Sequence, residues 1–160
     1  MMIRTVYLAG GINGLSDADA NDWRSRAKEL LPRSIAVLDP MARDYRGKED
    51  ENVADIVKGD LDDIAQCEAV IAMCPRPSWG TAMEIHHTAT TGRDIKGYTT
   101  GYGEYGEDRS GYRTIGQRRI VAIVPAGQPV SPWLRHHTDA VVETLEAAVD
   151  QVIEWAGVPV

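Results

Sequence analysis

Four short apolar runs, each closed by glycine or proline, limit what this chain can fold into more than any other feature. They cover residues 3–9, 34–39, 69–74 and 119–125, and stretches with helical spacing lie between them. The last run, Arg119-Ile-Val-Ala-Ile-Val-Pro125, is apolar without alternation, as expected of a strand covered on both faces. After the first run, Ala20, Trp23, Ala27, Leu30 and Leu31 keep helical spacing until Pro32, with Ser16 or Asp17 as the cap. A final helix carries Val141, Leu145, Ala148, Val149, Val152, Ile153 and Ala156 on one side and ends at Gly157 and Pro159. Strands alternating with helices imply a parallel sheet with helices on both faces, a doubly wound, three-layer α/β fold of the flavodoxin-like or Rossmann-like type. A strand order of 2-1-3-4 would set strands one and three side by side at the switch point, where such sheets bind ligands.

Two turns belong to that edge. The first run ends in Gly10-Gly11-Ile12-Asn13-Gly14, where glycine lets backbone approach a ligand closely. The third ends in Cys74-Pro-Arg-Pro-Ser-Trp-Gly80 and restarts as a helix over residues 81–91, whose first N–H groups suit an anion. Glycine-rich backbone, Ser78, Gly80 and Glu84 would then face one crevice. Glu84 has two readings. Thr81-Ala-Met-Glu84 fits a capping box, in which the carboxylate returns to the backbone of Thr81; the same spacing sets an acid one turn inside the crevice. A helix over residues 53–67 supplies a second acid. At ~100° per residue, Val53, Val57, Leu61 and Ile64 form one apolar arc, and Asp60 falls inside it. A carboxylate there is costly unless partnered, so Asp60 either pairs locally at the helix end or serves the site. Asp62 points away, Asp63 is expected to be solvated, and residues 41–52 read as a polar loop.

Composition narrows the function. A length of 160 residues suggests one domain, and a net charge of −7 without a dense Lys/Arg run argues against a nucleic-acid polymer as partner. No apolar stretch approaches the ~20 residues of a membrane-spanning helix, and the N-terminus lacks the pattern of a signal peptide. Cys67 and Cys74 do not form a C-x-x-C pair and read as reduced core thiols of a cytoplasmic protein. Residues 93–117 hold six glycines and four tyrosines without periodicity, an insertion that reads as a lid or as an inert loop. His86, His87, His136 and His137 lack metal-ligand spacing, so neither metal nor cofactor is expected.

The series Tyr7-Leu-Ala-Gly-Gly, Asp60-Leu-x-x-Ile64, the strand at 69–74 and Ser78-x-Gly80-Thr-x-x-Glu84 resembles the nucleoside 2-deoxyribosyltransferase superfamily. That group includes the 2′-deoxynucleoside 5′-phosphate N-hydrolases. The likeness covers residues 3–92 and returns in the last strand and helix. It implies Glu84 as a nucleophile attacking C1′ of the sugar, Asp60 positioning the ribosyl group and base, and Tyr7 beside the nucleophile. Transferases of the superfamily commonly carry an acid six residues before the nucleophile. Here that residue is Ser78, which matches a serine that contacts phosphate in the 5′-phosphate hydrolases, helped by backbone of Gly10, Gly11, Ile12 and Asn13. The resemblance therefore implies release of free base from a nucleoside 5′-monophosphate, or base exchange between nucleosides, in a homodimer or larger homo-oligomer. His86-His87 and the glycine- and tyrosine-rich insertion depart from the pattern.

The chemistry suits these residue types. Cleaving an N-glycosidic bond builds oxocarbenium-like charge that a carboxylate on the opposite face can capture, and a carboxylic acid kept protonated by burial, here Asp60, can protonate the leaving base. Three rivals are weaker. A phosphoribohydrolase of the cytokinin-activating type shares Gly80-Thr-x-x-Glu84 but has glycines where this chain has Pro77-Ser-Trp. A dinucleotide-dependent oxidoreductase would use Asp39, yet Gly11-x-x-Gly14 is an incomplete fingerprint. A nucleotide sensor without turnover would have no use for Asp60 and Glu84 together.

Overall fold

The computed structural model describes residues 3–91 and 118–157. The insertion expected at 93–117 lies outside them. Five strands form one sheet: β1 (Thr5–Gly10), β2 (Ala36–Leu38), β3 (Ala69–Met73), β4 (Arg119–Ile123) and β5 (Ala140–Val142). The helices are α1 (Asp17–Leu30), α2 (Val53–Gln66), α3 (Trp79–Thr91), α4 (Pro132–His137) and α5 (Leu145–Ala156). The sheet runs β2-β1-β3-β4-β5, with every pair parallel. The expected order is thus present and extended by β5. Val141, expected in the last helix, belongs instead to this strand, since three residues are too few to show a period. In fact α5 begins only after Thr144, whose hydroxyl caps Ala147 N–H at 3.2 Å.

Strand alternation sorts the core into two layers. Val6 and Leu8 of β1 pack with Ala27 of α1 and with Leu145, Val149 and Val152 of α5. Tyr7 and Ala9 point to the opposite face, toward Ile64 of α2 and Ile85 and Ala89 of α3. This is the three-layer α/β arrangement, and it aims Tyr7 at the helices that carry both candidate acids. Among the described residues no helix is long and apolar enough to cross a membrane.

Polar positions depart most from expectation. Ser16 caps α1, accepting from Asp19 N–H at 3.1 Å. Arg24 on the same helix is fully buried, with Nη2 donating to Gly10 carbonyl at 2.8 Å and Nε 3.4 Å from Asp39. Residues 41–52 are not simply loop, since they include two 3-10 turns, Pro40–Arg43 and Glu49–Glu51. The apolar arc of α2 is buried only at its far end. Ile64 is inside, whereas Val53 and Val57 are 60% and 53% exposed.

Candidate active site

β1 and β3 are in register with Gly10 opposite Met73, so the turns that follow them start side by side at the carboxyl edge. A Cβ placed on Gly11 would lie 3.9 Å from Ser78 Oγ, which shows how closely the two turns face each other. Ser78 precedes α3, and its Oγ accepts from Thr81 N–H at 3.4 Å and from Thr81 Oγ1 at 3.1 Å. The helix therefore starts at Trp79, two residues earlier than the spacing suggested, and Thr81 lies buried in its first turn. With Ser78 in the capping role, the Thr81–Glu84 capping box does not form.

Glu84 instead turns inward to the sheet. Tyr7 Oη donates to Glu84 Oε1 at 2.7 Å, across 77 residues of chain. Oε2 of the same carboxylate is buried with no hydrogen-bond partner. Burial pushes the Glu84 carboxyl up to about 7, against the Tyr7 hydrogen bond, which lowers it; the charge of Asp60 raises it further and that of Arg24 opposes. Tyr7 is raised far above its ordinary value by burial and by the carboxylates around it, so its hydroxyl remains a donor at every working pH. A buried carboxylate with one oxygen held and the other unpartnered has the form of an activated oxygen nucleophile.

Asp60 stands on α2, its side chain 20% exposed, with Oδ1 3.0 Å from Arg43 Nη2. Burial pushes its carboxyl up, while Arg43 acts in the opposite direction. Ile12, Asn13, Met41, Arg43, Tyr45 and Asp60 border one hollow of about 100 Å³ beyond the ends of β1 and β2. The structure thus brings Tyr7, Glu84 and Asp60 into mutual electrostatic reach, with Ile12 and Asn13 beside Asp60 and Gly11 beside Ser78. Gly10 contributes its carbonyl to Arg24, and Gly80 lies in the first turn of α3, with open space where a Cβ would stand.

The nucleoside 2-deoxyribosyltransferase family model matches residues 6–150. The chain belongs to that family. Its fold is shared by a 2-deoxyribosyltransferase from Bacillus psychrosaccharolyticus at 14% identity and a TM-score of 0.61, over 91% of this chain and 90% of that one. A conserved protein from Enterococcus faecalis V583 gives 12% identity and 0.61, over 97% and 99% of the two chains. The CMP N-glycosidase of Clostridium botulinum gives 12% and 0.55, over 95% and 99%. A search of curated proteins by sequence gives no match. As a member of the deoxyribosyltransferase family, the protein is an enzyme of glycosidic bonds.

Around the candidate site of this deoxyribosyltransferase-family member, two residues carry no pattern in the sequence. Arg24 reads as solvent-facing in a helix rich in charge, yet it braces the Gly10 turn from inside. Arg43 lies in a segment without period and joins Asp60 to Asp63. Asp63, expected in solvent, has a side chain only 13% exposed, 2.7 Å from Arg43 Nη2. The signal for this contact was Gly59, a glycine in the middle of a helix immediately before Asp60.

A larger cavity, about 660 Å³, lies on the other side of α3, bordered by Trp79, His86, Gln128, Trp133 and His137. Ser78 borders it too, but neither Glu84 nor Asp60 does. His137 is buried, and its Nδ1 donates to the Trp133 carbonyl at 2.8 Å. Its Nε2 lies 3.2 Å from His86 Nδ1, so the two rings share one hydrogen bond. Among the described residues, no group of three or more His, Cys, Asp or Glu side chains is placed to hold a metal ion.

Proposed function

We propose that this enzyme cleaves the N-glycosidic bond of a (deoxy)nucleoside 5′-monophosphate through a covalent Glu84 intermediate. The observation that carries this reading is the Tyr7–Glu84 hydrogen bond, which leaves Oε2 buried and unpartnered. Oε2 attacks C1′ as the bond from C1′ to the base breaks; the base leaves with the bonding pair and takes a proton from solvent. Water then attacks C1′ as the Glu84–C1′ bond breaks and gives its proton to solvent, restoring the Glu84 carboxylate and giving the free sugar phosphate. Asp60 positions the ribosyl group and the base. Ser78, the Gly80 N–H at the start of α3 and backbone from Gly10 to Asn13 receive the 5′-phosphate, a role suited to glycine-rich turns and a helix start.

The CMP N-glycosidase with the same fold supports a nucleotide substrate. Oligomeric assembly in the cytoplasm, with residues 1–160 as one domain, completes the proposal. Exposed Trp79, Met83 and Trp133, at 91%, 68% and 67%, favour a homodimer or larger assembly.

The test is chromatography of free base from ribo- and deoxyribonucleosides with and without 5′-phosphate, comparing wild type with Glu84→Gln. Release from monophosphates alone, abolished in the variant, is expected. Base exchange between nucleosides would make the enzyme a transferase, and failure of the wild type on every substrate would overturn the proposal.

A further inference from the structure

Gly59 stands in the middle of α2, where glycine is the least favourable residue apart from proline. Its neighbour across space explains it. A Cβ on Gly59 would lie 2.6 Å from Arg43 Nε, 3.1 Å from Cζ and 3.2 Å from Cδ. The Arg43 side chain is laid against the helix backbone, in space that a side chain at residue 59 would take. From there a single nitrogen, Nη2, reaches both Asp60 Oδ1 at 3.0 Å and Asp63 Oδ2 at 2.7 Å.

Arg43 is itself held in place. It closes the 3-10 turn Pro40–Arg43, which Asp39 caps by accepting from Met41 N–H at 2.9 Å. Asp39 is fixed in turn by Lys28 at 2.5 Å and by buried Arg24. A row of alternating charges thus runs from the Gly10 turn through Arg24, Asp39 and its 3-10 turn to Arg43 and Asp60.

An aspartate carboxylate turns about two single bonds, and a partly exposed one without a partner would turn toward water. α2 packs against β1 and α3, the elements that carry Tyr7 and Glu84, so the placement of the Asp60 charge bears on that pair. We infer that Arg43, seated in the notch left by Gly59 and anchored by Asp63, is a positioning residue that holds the Asp60 carboxylate toward the Tyr7–Glu84 pair. This rests on the base-releasing function proposed above. Arg43 acts through Asp60 and needs no contact with the reacting atoms.

The test uses wild type, Arg43→Gln, Arg43→Lys, Gly59→Ala and the double variant Arg43→Gln/Gly59→Ala, with kcat, KM and thermal midpoint measured for each. Arg43→Gln and Gly59→Ala are each expected to lower kcat by about tenfold to a hundredfold, the range for a misplaced group. Arg43→Lys, which keeps a cation able to reach both carboxylates, restores part of the loss. Gly59→Ala gains helix propensity against the ion pair it displaces, so its thermal midpoint stays closer to that of wild type than that of Arg43→Gln does, and circular dichroism at the assay temperature shows it folded. The double variant matches Arg43→Gln within about twofold, since both changes remove one interaction.

Gly59→Ala with wild-type kcat, or losses that simply multiply in the double variant, would overturn the role of Arg43 while leaving the proposed function standing. Absence of base release by the wild type overturns both.

Discussion

Replacing Tyr7 by phenylalanine removes one hydroxyl from a buried position and little else, because the ring keeps its place among Ile64, Ile85 and Ala89. What is lost is the 2.7 Å hydrogen bond to Glu84 Oε1. A hydrogen bond to a charged group contributes about 1.5–3 kcal/mol, and about 1.4 kcal/mol corresponds to one pKa unit. That bond lowers the Glu84 carboxyl from where burial alone would hold it, so its removal moves the value up from about 7 by about one to two units. Nucleophilic attack needs the ionised carboxylate. At pH 7 the ionised fraction falls from about a half to roughly 1–10%, so kcat/KM falls about fivefold to fiftyfold. The assay is the pH profile of base release between pH 5 and 10. The acid limb of the Tyr7→Phe variant is expected one to two units higher than that of wild type, with the deficit shrinking as the pH rises past it. A deficit equal at every pH, with the limb unmoved, would refute the claim that Tyr7 works by tuning Glu84.

Glu84→Gln is expected to abolish turnover and to stabilise the fold at alkaline pH. The folded-state value of about 7 lies above the ordinary 4.5, so the stabilising contribution of the protonated acid is full below pH 4.5 and lost as the pH rises through 7. The neutral amide escapes that loss, about 3 kcal/mol, so thermal scans should show a gain at pH 8 that vanishes near pH 4. Ser78→Ala is expected to raise KM for monophosphates about tenfold or more, through loss of one hydrogen bond to a charged group. An unchanged KM would place the phosphate elsewhere. Arg24→Met leaves Asp39 without its buried partner and the Gly10 carbonyl without its donor; urea unfolding should show a cost of about 3 kcal/mol.

Elements whose residues are apolar and long enough to show a period were legible in the sequence. β1, β3 and β4 are short runs with one environment per face, and their glycine and proline boundaries named the two turns that meet at the site. Asp60 was legible for the same reason, as a charge out of place on an apolar arc. The start of α3 was not, because Thr81 and Glu84 satisfy a local pattern that Ser78 satisfies better from three residues upstream. Arg24, Arg43 and Asp63 were hidden for a different reason. Each is polar and looks solvent-facing along the chain, and only contacts between separate segments show that each is held inside. β5, at three residues, is formed by its neighbour β4 and carries no period of its own.

The hydroxyl of Ser78 has a valence that can be counted. A serine oxygen accepts at two lone pairs and donates one proton. Thr81 N–H and Thr81 Oγ1 both lie within reach of that oxygen, so much of its bonding capacity is spent inside the protein. Ser78 thus couples the start of α3 to the turn that faces Gly11, and a change at this one hydroxyl is felt in the helix that carries Glu84.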